Sequence, residues 1–250
     1  MRLLALLSAV VVAVSMVTLA PQQIGVYMAG DSTMADRPNP EKNPYRGWGQ
    51  LLPQFFDDGV VVHNLAVNGR STKSFIDEGK WAALIAQVRP GDYVFIQFGH
   101  NDEKKEDSLR YTEPNGSYRR NLERFVKEAR DKGANPVLLT SIVRRSFDEH
   151  GTLRDTHGGY PQATRDVARD LGVPLIDLEK TSGALVATAG AEGSRRLFGY
   201  VAPGQSEMYP EGLKDDTHLS LSGATAVARL AAQGILSTGL PLARHVKGVR

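Results

Sequence analysis

The amino-acid sequence predicts an α/β protein, a three-layer α/β/α sandwich around a parallel sheet of five strands. Three observations carry that expectation. Short apolar runs alternate along the chain with longer segments whose apolar residues recur every three or four positions. The joints after the first three runs hold Gly, Asn, Asp and Ser, the residues of tight turns. The length of 250 residues, with 41% hydrophobic and 23% charged side chains, suits one large domain with a sizeable core. Such βαβα alternation leads to parallel strands joined by crossover helices that cover both faces of the sheet.

Taken in order, residues 24–29 (IGVYMA) read as the first buried strand and run directly into Gly30-Asp31-Ser32-Thr33. Residues 48–56 place Leu51, Leu52, Phe55 and Phe56 on one helical face, although Pro53 weakens a helix there. Residues 60–67 form the second strand. A helix over 74–88 buries Trp81, Leu84, Ile85 and Val88 and ends at Arg89-Pro90-Gly91. The third strand spans 93–98. Leu122, Phe125, Val126 and Ala129 give the next helix its period, Gly133 stops it, and 136–141 (PVLLTS) is the fourth strand. A helix over 161–171, a fifth strand over 174–178 and an Ala-rich helix over 221–236 complete the pattern.

Composition excludes several functions. Thirty Lys+Arg against 28 Asp+Glu give a formal charge of +2, too weak a field to argue for nucleic acid or an anionic membrane surface. The absence of cysteine removes disulfides, thiolate nucleophiles and Cys-ligated zinc. Arg2 precedes an unbroken run of apolar and small residues, Leu3 to Ala20, which has the pattern of a signal-peptide core. Thr18-Leu19-Ala20 followed by Pro21 predicts cleavage after Ala20. Residues 1–20 are thus expected to be a leader and 21–250 a single exported domain, secreted or periplasmic. A retained anchor is the alternative, since eighteen apolar residues approach the minimum span.

In open parallel sheets ligands bind beyond the carboxyl ends of the strands, so the loops after the first three strands hold the candidate chemistry. The first is GDSTMAD, residues 30–36. A serine at a tight turn just past a buried strand projects its hydroxyl outward and suits a nucleophile; a cap or Asx turn is the structural alternative. No G-x-S-x-G elbow is present, which disfavours an α/β-hydrolase proper. The second and third loops, Asn68-Gly69-Arg70-Ser71 and Gly99-His100-Asn101-Asp102, offer uncharged donors. Gly69 can present its backbone N–H where a Cβ would obstruct, and Asn101 can present its amide. Preorganised neutral donors are what a tetrahedral oxyanion requires.

Near the end of the chain stands Asp215-Asp216-Thr217-His218. An Asp three residues before a His in a turn can fold back to bind Nδ1, leaving Nε2 free to take a serine proton. Two alternatives stay open. Asp and His could ligate a metal together with His100 and Asp102, or Asp215, Asp216, Ser220 or Ser222 could cap the final helix.

Together these loops resemble the SGNH (GDSL-type) hydrolase superfamily, whose blocks supply Ser, Gly, Asn and His in this order. The fuller strings YMAGDSTMAD, GWGQ, NLAVNGRSTKSF, GDYVFIQFGHND and DDTHLS are similar to those of rhamnogalacturonan acetylesterases, and the likeness extends over residues 24–237. The resemblance implies a flavodoxin-like fold with a five-stranded parallel sheet. It further implies Ser32 as nucleophile, the amides of Ser32 and Gly69 with the Asn101 side chain as oxyanion donors, and Asp215 with His218 completing the triad. Asp216 is then a spacer.

The implied activity is that of a carboxylic ester hydrolase removing O-acetyl groups from a plant cell-wall polysaccharide, foremost rhamnogalacturonan, through an acetyl-enzyme. No cofactor or metal is expected. The expected partner is an acetylated poly- or oligosaccharide rather than nucleic acid or membrane, and the expected state is monomeric. A lipase or thioesterase on the same scaffold, an esterase of another acetylated glycan such as xylan, and a non-catalytic carbohydrate binder are the alternatives. Arg144, Arg145, Arg154, His150 and His157 in the loop 142–160, with Arg70, are candidates to hold galacturonate carboxylates, since Arg forks match carboxylates. Tyr45 and Trp48 are read as core.

Overall fold

The computed structural model describes residues 23–249, so the expected leader and its cleavage point lie outside the described residues. Five strands, β1 (Ile24–Gly30), β2 (Val60–Asn64), β3 (Tyr93–Gln97), β4 (Asn135–Leu139) and β5 (Leu175–Ile176), form one sheet in the order β2-β1-β3-β4-β5. Every pairing in it is parallel. The helices are α1 (Trp48–Leu51), α2 (Thr72–Asp77), α3 (Lys80–Ile85), α4 (Arg119–Asp131), α5 (Gly159–Asp170), α6 (Leu178–Gly193) and α7 (Leu221–Ser237).

Alternation along the strands builds two cores, as side chains two apart share a face. Val26, Met28, Phe95, Val137 and Leu139 pack with Trp48 of α1, Val186 of α6 and Val227, Ala231 and Ile235 of α7. Tyr27, Ala29, Val94, Ile96 and Leu138 pack on the opposite face with Phe75 of α2, Trp81 of α3, Phe125 of α4 and Val167 of α5. The central strand β3 is buried along its whole length, as a doubly covered parallel strand must be. The three-layer α/β/α architecture and the five parallel strands are those expected.

Several elements differ from the expectation. The segment 48–56 is α1 followed by a 3₁₀ turn, Leu52–Phe55, with Pro53 at its start. The helix expected over 74–88 is two helices broken at Gly79. It also begins earlier: Ser71 caps α2, its Oγ accepting from Ser74 N at 3.1 Å while Ser74 Oγ accepts from Ser71 N at 2.9 Å. Two elements escape the sequence pattern. Helix α6 buries only Leu178, Ser182 and Val186 and carries a non-helical Gly190. The hairpin of β6 (Phe198–Val201) and β7 (Leu213–Leu219) runs through the polar string Lys-Asp-Asp-Thr-His, which β propensity disfavours.

Polar struts tie the carboxyl ends of the first three strands together. Val67 N donates to Gly30 O at 3.0 Å, holding the loop after β2 beside the end of β1, and Gly30 pairs with Gln97 of β3. The fully buried Asp102 carboxylate, just past β3, accepts from Thr72 N at 3.0 Å, Thr72 Oγ1 at 2.5 Å and Thr112 Oγ1 at 2.8 Å, joining that loop to the start of α2. Its neighbour His100 lies with Nδ1 3.4 Å from Oδ2 of Asp31, and both are buried. Oδ1 of Asp31 accepts from Thr33 N at 2.9 Å and Thr33 Oγ1 at 2.8 Å, an Asx turn that shapes the residue between them, Ser32.

Burial shifts these two groups in opposite senses. It pushes the Asp102 carboxyl up to about 7, against the Thr72 and Thr112 donors. It pushes the His100 imidazole down to about 4, against the Asp31 charge. Between the unfolded histidine pKa of about 6.5 and pH 4.5 the unfolded chain binds the His100 proton better, so that group lowers stability as pH falls. Over the same range the folded chain binds the Asp102 proton better, so Asp102 raises stability as pH falls. Asp102→Asn removes the second effect alone. Its thermal midpoint, measured by circular dichroism, should therefore drop more steeply from pH 6.5 to 4.5 than that of the parent; parallel slopes would contradict the opposed pair.

Candidate active site

The sheet places Ser32 two residues past the end of β1, at the entry to a single helical turn in which Asp31 O accepts from Met34 N (3.2 Å) and Ala35 N (3.0 Å). Residue 218 approaches from the other side of the chain. Ser32 Oγ and His218 Nε2 are 2.9 Å apart across 186 residues of sequence, and His218 Nδ1 is 2.7 Å from Asp215 Oδ2. An ionised carboxylate only accepts, so Nδ1 carries the imidazole proton. Nε2 of the neutral ring is then an acceptor, and the serine hydroxyl donates to it.

Asp215 and His218 lie within β7, where the sequence pattern expects a turn. The correction is one of element, with a local reason. Gly199 pairs with Asp215 whereas Phe198 pairs with Leu219, so residues 216–218 are extra on one side of the hairpin. This bulge folds the strand back on itself, as bulges re-aim side chains beside active sites. Oδ1 of Asp215 accepts from Thr217 N at 2.7 Å and His218 N at 2.9 Å, which fixes the bulge from inside. Asp216 points outward to Tyr200 OH (2.6 Å) and Arg145 Nη1 (2.8 Å), and Ser220 caps α7. Neither Asp215 nor Asp216 supplies that cap.

A fourth donor to Asp215 was not anticipated. Tyr45 OH donates to Oδ2 at 2.8 Å, and its ring stands edge-on to His218 with centroids 5.5 Å apart. Gly199 makes that position available: a Cβ there would fall 2.2 Å from Tyr45 Cε1. Trp48, by contrast, is fully buried core, its Nε1 donating to Gln97 Oε1 at 2.9 Å. Nothing in the periodicity around Tyr45 separates it from a core aromatic. Burial raises Asp215, but the His218 hydrogen bond and the His218 and Thr217 backbone amides outweigh it and hold the carboxyl well below its ordinary range. Burial and the Asp215 contact push the Tyr45 phenol well above its ordinary value, so it remains a donor.

The two further loops flank the serine. Gly69 takes φ +75, the left-handed region that favours glycine. A Cβ at this position would meet only Arg110 Nη1, at 3.9 Å, so backbone conformation rather than crowding calls for glycine. Asn101 is buried and its amide orientation follows from its partners: Nδ2 donates to Arg70 O at 3.2 Å, and Oδ1 faces Arg110 Nη1 at 3.4 Å. One of the two Nδ2 hydrogens remains uncommitted. His100 and Asp102 are held by Asp31 and by Thr72 and Thr112 respectively, so they do not join Asp215 and His218 in one ligand set.

The arginines expected to meet substrate are mostly engaged within the protein. Arg70 pairs with Glu78 at 3.0 Å, Arg144 with Glu103, and Arg145 with Asp216 at 2.8 Å. His157 is buried between Glu103 and Ile142 O, while Arg154 and His150 are exposed.

Comparison with known proteins follows the same lines. Residues 28–231 match the GDSL-like lipase/acylhydrolase family. Rhamnogalacturonan acetylesterase RhgT of Bacillus subtilis is 45% identical over 223 residues, 89% of this chain and 94% of the relative. The crystal structure of the Bacillus subtilis protein YxiM superposes with a TM-score of 0.72 at 26% identity, covering 88% of this chain and 58% of that one. That of Axe2, an acetylxylan esterase from Geobacillus stearothermophilus, gives 0.58 at 18% identity over 90% of this chain and 98% of its own, a likeness of fold. The chain is a carboxylic ester hydrolase and belongs to the GDSL-like lipase/acylhydrolase family.

Proposed function

We propose that the chain is a secreted serine esterase that removes acetyl groups from a pectic polysaccharide, rhamnogalacturonan, through an acetyl-enzyme. The observation that carries the mechanism is the hydrogen-bonded line Ser32, His218, Asp215 at the carboxyl ends of the strands. The substrate rests on the 45% identity to RhgT. Export rests on the apolar run from Leu3 to Ala20. Among the described residues no helix is long and apolar enough to cross a membrane. We take the exported form to be a monomer that meets its glycan in solution.

In this reading Ser32 Oγ attacks the acetyl carbonyl as His218 Nε2 takes its proton. The negative charge developing on the carbonyl oxygen falls to the amides of Ser32 and Gly69 and the free Asn101 Nδ2 hydrogen. His218 returns its proton to the departing sugar hydroxyl; a water then attacks the acetyl-Ser32 ester with His218 again as base, the acyl–Oγ bond breaks with that proton passing to Ser32 Oγ, and acetate leaves. Asp215 stays ionised throughout, orients the ring through Nδ1 and balances the imidazolium. Tyr45 holds Asp215 from the other side, which keeps Oδ2 aimed at the ring.

Four outcomes test the scheme. The purified exported domain should release acetate from acetylated rhamnogalacturonan in preference to acetylated xylan, and Ser32→Ala should abolish release from both. Activity favouring long-chain p-nitrophenyl esters would instead identify a lipase. Asp215→Asn should lower kcat by about a thousandfold or more, as loss of the orienting carboxylate does in serine hydrolases, whereas Asp216→Asn should retain most activity. Tyr45→Phe should cost about threefold to tenfold in kcat/KM through one lost charge-assisted hydrogen bond. Gly199→Ala should show a loss of the same kind because its Cβ displaces the Tyr45 ring; an unaffected Gly199→Ala enzyme would separate the ring's position from catalysis.

A further inference from the structure

Arg37 lies at the rim of the Ser32 turn. Its Nη2 donates to the Ser32 carbonyl at 2.9 Å, and its guanidinium stands 5.6 Å from the centre of the Tyr45 ring. Tyr45 in turn touches both Asp215 and His218. The backbone of Arg37 is anchored as well, its N–H donating to Gln50 Oε1 at 3.2 Å. No carboxylate among the described residues forms an ion pair with it, whereas Arg70, Arg110, Arg144 and Arg145 each have one. Nε is buried without a partner, and Nη1 has none among the described residues. Burial lowers the guanidinium from its ordinary value, against the attraction of Tyr45 and Asp215.

A guanidinium held partly out of water, on a fixed backbone and without a counter-ion, is costly in the free chain. That cost is offset when a ligand brings the anion. Arg recognises carboxylates through geometry as well as charge, and here Nη1 and the second hydrogen of Nη2 are uncommitted. We infer that Arg37 binds the carboxylate of a uronic acid residue at or next to the acetylated sugar, and so makes this site selective for acidic over neutral acetylated glycans. This assignment rests on the acetylesterase reading above. It replaces Arg144 and Arg145 as the carboxylate receptor, because these two are already neutralised by Glu103 and Asp216.

The test compares two forms of one substrate: acetylated rhamnogalacturonan oligosaccharides, and the same oligosaccharides with their uronate carboxyls reduced to alcohols. The parent should lose about tenfold in kcat/KM on reduction, mostly through KM, as expected for one charged hydrogen-bonded contact. Arg37→Gln should act on both forms equally, at the level the parent shows on the reduced form. Arg37→Lys, which keeps the charge without the fork, should recover part of the difference. If Arg37 only supports the Ser32 turn, the substitution will depress both forms by one factor and the tenfold ratio will persist, which overturns the inference. Equal use of both forms by the parent overturns it too. Both of those results leave the acetylesterase standing. Failure of the parent on both oligosaccharides, with turnover of p-nitrophenyl acetate retained, would leave a serine esterase but overturn the rhamnogalacturonan reading and the inference with it.

Discussion

Parallel pairing of β1 with β2 on one side and β3 on the other is the constraint on which the site depends. It brings three strand ends to one rim of the sheet, and the chain leaves that rim in opposite directions on either side of β1. Ser32 follows β1, Gly69 follows β2 and Asn101 follows β3, so one hydrogen-bond ladder sets the spacing of three groups far apart in sequence. The bond from Val67 N to Gly30 O carries the ladder past the last residue of β2 and into the loop. Asp102 does the same on the other side, since its carboxylate grips Thr72 and fastens the loop after β3 to the first turn of α2. Ser32, Gly69 and Asn101 therefore rest on the sheet, while Asp215 and His218 arrive from a separate hairpin.

Much of this was legible in the sequence because it follows from period and turn chemistry. The five strands are short apolar runs, and the periods over 161–171 and 221–236 end within two residues of α5 and α7, whereas the period over 74–88 runs across the break at Gly79. The residues Ser32, Gly69, Asn101, Asp215 and His218 stand in recognisable blocks, and the structure brings Ser32, His218 and Asp215 into hydrogen-bonding contact. What escaped has no periodic signal. Helix α6 has Gly183 and Gly190 and a narrow buried stripe, so its pattern is diluted. The strand β7 is polar because it serves the site, and function overrode propensity there. Tyr45 sits in a loop and its ring occupies space that Gly199 leaves open, more than 150 residues away in sequence, and a pairing at that range leaves no local trace.

The polar groups beneath the site divide into those that are neutralised and those left open. Asp215 has all its acceptor capacity used by Tyr45, His218 and two backbone amides, which suits a carboxylate that must stay charged and still. Arg144 and Arg145 are likewise spent on Glu103 and Asp216, bracing the loop after β4 against its neighbours. Reading charge from sequence counts all of these arginines alike. Only the spatial pairing separates cations that brace the fold from those with free donors.

The bulge in β7 also has an evolutionary consequence. Because Asp215 and His218 are positioned by backbone amides inside the bulge, the pair travels as one unit with its own geometry. The tip of the hairpin, residues 202–212, lies beyond the last paired residues and meets the Asp215 surroundings through Tyr209, whose ring packs edge-on against Tyr45 with centroids 5.9 Å apart. Insertions and deletions can accumulate at the tip while the unit stays in register with Ser32, but a single residue gained or lost between 215 and 218 would dismantle it. Length variation is thus channelled into one segment that borders Asp215 and His218 without carrying them.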